Sequence, residues 1–322
     1  MPTGTPVISD QEFIELYNAK GPRHIVRVTG LARRNVQQRR QRLARRLGVE
    51  IKSPNGDGYG TPRIPGPQGK HRIELNIKDG HVVVFSDAHY WPGQKTLMHR
   101  ALVRMVKDLK PKVIIANGDV MDFPSISRHA SIGWEKRPKV QEEIEFAQER
   151  LHEIALAAGR GVEKIWTLGN HDSRFETRIA NLAPDYAKVH GVHLRDHFPD
   201  WEPAWSTFVN GSVLIKHRFK GGIHAVHNNL LWSGVHCVTG HLHSAQVRAL
   251  TLYDERTIWG MDSGCLAEPT AAAFVNYTED NPKNWRSAFG VLTFRDGKLM
   301  QPELVLKWDE KHIQFRGEII KV

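Results

Sequence analysis

The chain has 322 residues, 40% of them hydrophobic, two cysteines and a formal net charge of +10. That length suits one large domain with a small companion, and the composition excludes a disordered, collagenous or disulfide-scaffold protein. No run approaches the roughly 18 apolar residues of a membrane span, and the polar N-terminus lacks a signal-peptide core, so a cytoplasmic protein without membrane contact is expected.

The charge is uneven. Residues 1–72 carry 14 Lys and Arg against 5 Asp and Glu, and the remainder carries 31 against 30. A basic head on a neutral body is the footprint of a segment that meets a polyanion. Ser9 with Glu12 predicts a capped first helix over "DQEFIELYNAK", stopped by Gly21-Pro22. "PRHIVRV" predicts a second, ending at Thr29-Gly30, and "LARRNVQQRRQRLARRLG" a third, with seven arginines and no acid. Residues 1–50 are therefore read as a small helical module, 51–72 as a Gly/Pro-rich linker and 73–322 as the main domain.

Beyond the linker, "HVVVFSD", "KVIIANGD" and "KIWTLGNHD" read as buried strands. The amphipathic helices "KTLMHRALVRMVKDLK" and "VQEEIEFAQERLHEIALAAG" separate them. This alternation predicts parallel β-α-β units with functional groups at the carboxyl ends of the strands. The second half is strand-rich with hairpin turns such as Asp296-Gly297. A four-layer α/β/β/α sandwich is the economical fold. Cys237 and Cys265 lie in apolar strand-like runs and read as buried, reduced thiols.

Each strand end carries metal-binding residue types. Asp87 and His89 are two apart in "FSDAHY", which on a strand puts both on one side. Asp119 follows a glycine in "NGDVMD", Asn170 and His171 sit in "LGNHDSR", and His217 closes "SVLIKH". In "TGHLHS", His241 and His243 share a face by the same alternation. Carboxylates and imidazoles without soft ligands suit paired divalent first-row cations, manganese foremost, with iron, zinc or nickel as alternatives. His224 and His227 in "KHRFKGGIHAVHNN" compete with His217, which is preferred because it directly ends an apolar strand.

The ordered set Asp-x-His, Gly-Asp-x-x-Asp, Gly-Asn-His-Asp, His and Gly-His-x-His, over residues 80–265, resembles the calcineurin-like metallophosphoesterase superfamily. Its layout is similar to phosphoesterases encoded by phages and prophages, for which the location is the host cytoplasm. The resemblance implies that Asp87, His89 and His243 hold one cation, that Asn170, His217 and His241 hold the other, and that Asp119 bridges. It implies hydrolysis by a metal-bridging hydroxide, with His171 facing substrate and Asp172 fixing its tautomer. Asp122 reads as an orienting carboxylate or a turn residue. Arg128, His129 and Arg174 read as phosphate contacts or ordinary loop residues. Trp91, Trp134 and Trp232 are candidates for base stacking, although packed indoles are the commoner case.

In the arginine-rich helix, Ala32, Val36, Leu43 and Leu47 form one stripe, and Arg34, Gln38, Gln41 and Arg45 form the row opposite. Arg and Gln make paired bonds to base edges, and with Gly30 as the turn glycine the module resembles a helix-turn-helix. Val26 for the usual alanine and Arg39 for an apolar residue are departures from that motif. The other reading is a solvated face docking on protein. The expected function is a dimetal phosphodiesterase for nucleic acid or nucleotides, with nucleic acid as the partner of the head. The rivals are a phosphomonoesterase or nucleotide phosphatase that is merely localised by the head, and a non-catalytic DNA-binding or structural protein.

Overall fold

The computed structural model describes residues 8–53, 71–129, 133–271 and 283–322, together with Phe274, Thr278 and Asn281. The chain divides into two compact units, Met1–Gly66 and Pro67–Val322. Most of the expected linker lies outside the described residues, as do the side chains of Arg33 and Arg34.

The first unit has helices α1 (Asp10–Lys20), α2 (Pro22–Thr29) and α3 (Arg33–Leu47). Ser9 caps α1 by accepting from the Glu12 amide, and Gly30 closes α2 in the left-handed conformation. Ile8, Phe13, Tyr17, Ile25, Val36, Leu43 and Ile51 form a core, each large side chain contributing about 1.5–3 kcal/mol when fully buried.

The stripe expected on α3 is corrected at both ends: Val36 and Leu43 are buried, but Ala32 and Leu47 are exposed. Ala32 is the N-cap, outside the helix, and the chain turns away at Gly48 directly after Leu47. Arg39 fills the central position where an apolar residue is usual. Its guanidinium lies 4.8 Å from the Phe13 ring and donates to Asp10 and to the Ile8 carbonyl. Arg46 reaches the second Asp10 oxygen, and Arg40 donates to the Ile51 carbonyl. Among the described residues Arg39, Arg40 and Arg46 thus bind their own chain, and the electrostatic demand for a partner is smaller than the sequence alone suggests.

The second unit has strands β1 (Ile73–Leu75), β2 (Gly80–Phe85), β3 (Val113–Ala116), β4 (Glu163–Thr167), β5 (Glu202–Ala204), β6 (Thr207–Val209), β7 (Val213–Ile215) and β8 (His236–Thr239). They are followed by β9 (Gln246–Thr251), β10 (Thr257–Asp262), β11 (Ala288–Arg295), β12 (Lys298–Leu299), β13 (Glu303–Lys307), β14 (His312–Phe315) and β15 (Glu318–Lys321). Helices α4 (Leu97–Leu109), α5 (Val140–Ala158), α6 (Asp172–Leu182), α7 (Leu194–His197) and α8 (Ala225–Ser233) complete it.

One sheet runs β15-β14-β13-β11-β2-β3-β4-β5 with β12 beside β11, and the other β1-β6-β7-β8-β10-β9. Strands β2 to β5 are parallel, as the β-α-β alternation requires. Alternation along them separates two cores. Val83, Phe85, Ile114, Ala116 and Trp166 pack with α4 and α5, whereas Val82, Val84, Val113, Ile115 and Ile165 meet Val213, Ile215 and Val238 of the other sheet. Leu230 of α8 packs with Cys237 and Ile258 on the far side of that second sheet. The four layers are therefore α/β/β/α. Both cysteines are free and buried, and burial pushes the Cys237 thiol up to about 12. Among the described residues no helix is long and apolar enough to cross a membrane.

Candidate metal centre

The loops after β2, β3, β4, β7 and β8 converge. Among the described residues three such groups form, the triads Asp87–His89–His243 and Asp119–His217–His241 and a third in which His89 meets Asp122 and His171, with the candidate ligand atoms of each within 4.8 Å of one another. In the two triads all but His241 are buried. His243 Nε2 is 3.0 Å from Asp87 Oδ1, and His217 Nε2 is 3.0 Å from Asp119 Oδ2. Asp87 Oδ1 also lies 4.0 Å from His217 Nε2, so this carboxylate borders both triads.

The convergence does not come from strand alternation, and the expectation that His241 and His243 share a face is corrected. Every ligand residue lies beyond the last residue of its strand, and His241 and His243 enter different triads. The backbone reverses instead. Asp87, His89, Asp119, His241 and His243 all have φ between +40° and +73°, a left-handed conformation that costs a non-glycine residue about 1–3 kcal/mol. Cross-loop bonds hold it: Asp87 N to the Gly118 carbonyl, His89 N to the Asp119 carbonyl, and His241 N to Asp87 Oδ2.

Space is equally constrained. A Cβ on Gly118 would stand 2.4 Å from the His217 ring, one on Gly169 2.0 Å from Asp119 Oδ1, and one on Gly240 2.6 Å from Asp87 Oδ2. The glycine of each Gly-Asp, Gly-Asn and Gly-His motif makes room for a ligand residue of another motif.

The donor set fits divalent cations. His89 Nε2, His243 Nδ1 and Asn170 Oδ1 are buried without a hydrogen-bond partner, which is costly unless a ligand completes them. The opposite ring nitrogens are fixed: His89 Nδ1 faces Asp122 Oδ1 at 3.1 Å, and His217 Nδ1 faces the Asn117 carbonyl at 2.8 Å. Such outer bonds select the tautomer whose Nε2 lone pair is free for a cation. Burial opposes charge on His217, but Asp119 and Asp87 outweigh it and hold the imidazolium up to about 10, so cation loading displaces a proton there. Burial and the His217 charge push His241 down to about 4.

The sequence expectation for Asp172 is corrected. Its buried carboxylate accepts from the amides of Asp119, Val120 and Gly169 and from Trp166 Nε1, all at 2.8–2.9 Å, and so ties the β3 and β4 loops together. Asp122 takes the role expected of Asp172, at 2.6 Å from His171 Nδ1, while also holding His89. Burial works against charge on His171, yet Asp119 and Asp122 raise it above its ordinary value. Arg174 donates to the Asp122 carbonyl at 2.7 Å, and its Nη2 is 3.3 Å from His171 Nε2. Arg128 and His129 are exposed, and among the described residues no hydrogen bond joins them to the ligand set. His224 is exposed at the N-cap of α8 and His227 is half-buried; neither enters a triad.

Four residues escaped sequence reasoning. Glu143 of α5 accepts from the amides of Asp122 and Phe123, and burial pushes its carboxyl up to about 8. Asp262 accepts from Ser244 and from the Gly264 amide, and burial pushes it to about 7. Phe274 and Trp285 wall the first triad, Trp285 with its ring centroid 4.5 Å from that of His243 and Phe274 5.3 Å from that of His89. Helix periodicity placed Glu143 on α5 but gave no sign of its partner, and neither aromatic lies in a motif.

Two His/Asp triads at the strand ends of an α/β/β/α sandwich define a centre of the dinuclear metallohydrolase kind. The family model for calcineurin-like phosphoesterases matches residues 80–291. The chain belongs to that family, hydrolases of phosphoester bonds that bind two divalent metals. It is similar to the Gene 54 protein of Mycobacterium phage L5, 25% identical over 257 residues, covering 70% of this chain and 92% of that protein. The Gene 54 protein of Mycobacterium phage D29 is 26% identical over 249 residues, with the same coverage. Among solved structures, wild-type Vps29 complexed with Zn+2 from Entamoeba histolytica covers 75% of this chain and 98% of its own at 12% identity and a TM-score of 0.39. The Pseudomonas putida nuclease MPE covers 69% and 86% at 12% identity and a TM-score of 0.27.

Proposed function

We propose that the chain is a two-metal phosphodiesterase acting on nucleic acid or nucleotides in the host cytoplasm, with the helical module binding nucleic acid. The observation that carries this reading is the pair of buried triads with unpartnered donors. Asp87, His89 and His243 would hold one cation, and Asn170, His217 and His241 the other, with Asp119 between them. Bound cations supply Lewis acidity and lower the pKa of coordinated water, manganese being the preferred metal.

The chain's own residues do the rest. Attack of water on phosphorus breaks one P–O ester bond and leaves a phosphomonoester and a hydroxyl, so the departing oxygen needs a proton. His171, held by Asp122 and raised above its ordinary value, supplies it. Arg174, beside His171 Nε2, is placed to meet a phosphoryl oxygen. The head supports a polyanionic substrate through its charge of +9, 14 basic against 5 acidic residues. Gln38, Gln41 and Arg45, with Arg42 and Arg46, line a shallow concavity of about 620 Å³ on α3.

The test is hydrolysis of an aryl phosphodiester and an aryl phosphomonoester by the full chain, with each divalent metal and after chelation. Metal-dependent turnover that favours the diester is expected. Preference for the monoester, or no turnover with any metal, overturns the reading.

A further inference from the structure

Between Glu202 and Asp254 the sequence runs for 51 residues without one Asp or Glu, yet it carries Lys216, Arg218, Lys220 and Arg248. This stretch lies inside the unit whose overall charge is nearly neutral. It also delivers His217, His241 and His243 to the metal centre.

Its surface is apolar as well as basic. Trp232 on α8 is 70% exposed, Ile223 87% and Leu231 56%. The Lys220 ammonium stands 3.7 Å from the Trp232 ring centroid, a cation–π contact that leaves the rest of this largely exposed indole to solvent. The loop bearing Lys220 is anchored: its amide donates to Asn229 Oδ1, and buried Asn229 donates to Thr239 Oγ1, two residues before His241. Lys220 follows His217 by three positions, at most about 11 Å of chain.

We infer that Trp232, with Lys220, forms a subsite for single-stranded nucleic acid on the unit that carries the metal centre. This rests on the reading of the body as a nucleic-acid phosphodiesterase. A polyanion answers the carboxylate-free stretch 203–253, and an unstacked base answers the exposed indole. Duplex nucleic acid answers only the first, because its bases are already stacked on one another.

The experiment measures binding of the full chain to a fluorescent oligothymidylate and to a duplex of equal length in chelator, by anisotropy, with turnover of an aryl diester in metal as a separate reading. Trp232→Ala should weaken single-strand binding on the order of tenfold, with Trp232→Phe restoring part of it. Duplex binding and aryl-diester turnover should stay unchanged. Unaltered single-strand affinity in Trp232→Ala, as for a patch that docks a protein, overturns the subsite. So does a loss shared equally by the duplex or by aryl-diester turnover. Failure of the phosphodiesterase reading shows separately, as absent aryl-diester turnover in the unsubstituted chain.

Discussion

The two units use charge in opposite ways. In the helical unit, Asp10 joins Arg39 and Arg46 in a surface clamp that ties α3 to the start of α1. Such pairs are screened by salt and tolerate loss of a partner. In the larger unit, carboxylates and imidazoles face one another in the interior on a left-handed backbone, where loss of one member leaves the others uncompensated. Carboxylates therefore form a surface clamp in one unit and a candidate metal centre in the other, and burial with unpartnered atoms distinguishes them better than composition.

That contrast breaks first, if it breaks, at the triads. Asp119→Asn should lower metal-dependent turnover on the order of 10³-fold or more, since the several kcal/mol of charge stabilisation depend on that carboxylate. Metal content by mass spectrometry should fall with it, and retained turnover would refute the assignment. His171→Ala should cost about 10²–10⁴-fold, with the metal content kept. A poor leaving group should suffer more than a good one in this variant, because the lost function is proton donation. Asp122→Asn, which disturbs both His89 and His171, should weaken metal affinity about 10–100-fold.

A smaller effect concerns Glu143. Its carboxyl sits at about 8 in the folded chain against an ordinary 4.5. Between those values the native state holds a proton that the unfolded chain has lost, so this contribution is fully present at low pH and disappears as pH rises through about 8. Glu143→Gln should flatten that decline, by a few kcal/mol at most. Urea midpoints across the window, for both chains, test it. The smallest effect belongs to the module: Arg42→Ala or Arg45→Ala should weaken duplex binding and reduce the slope of log affinity against log salt by about one. Asp10→Ala should destabilise the clamp while leaving aryl-diester turnover intact.

Much of this was legible in the sequence, for reasons that can be named. Helix α1 begins after Ser9 because capping is local chemistry, and the two cores follow from alternation along β2, β3 and β4. The candidate ligands stood out by type and spacing. Their manner of convergence did not, because φ is a property of the fold and nothing in the letters of Asp87 or His243 announces a reversed backbone. Arg39 looked like an anomaly because Asp10, its partner, lies 29 residues away. Asp172 looked like the partner of His171 because it is adjacent, whereas Asp122, 49 residues earlier, stands in that place. For Trp232 the sequence left base stacking and packing both open, since nothing local distinguishes a buried indole from one in solvent, and the side chain is exposed.

The three motif glycines also bear on how the centre is fitted together. Gly118 abuts His217 from the other sheet, and Gly240 abuts Asp87 from the first. The place of each loop is therefore defined by a residue carried on the opposite sheet. Each motif is fitted to another, and grafting a single motif onto another scaffold would transplant ligands without their places.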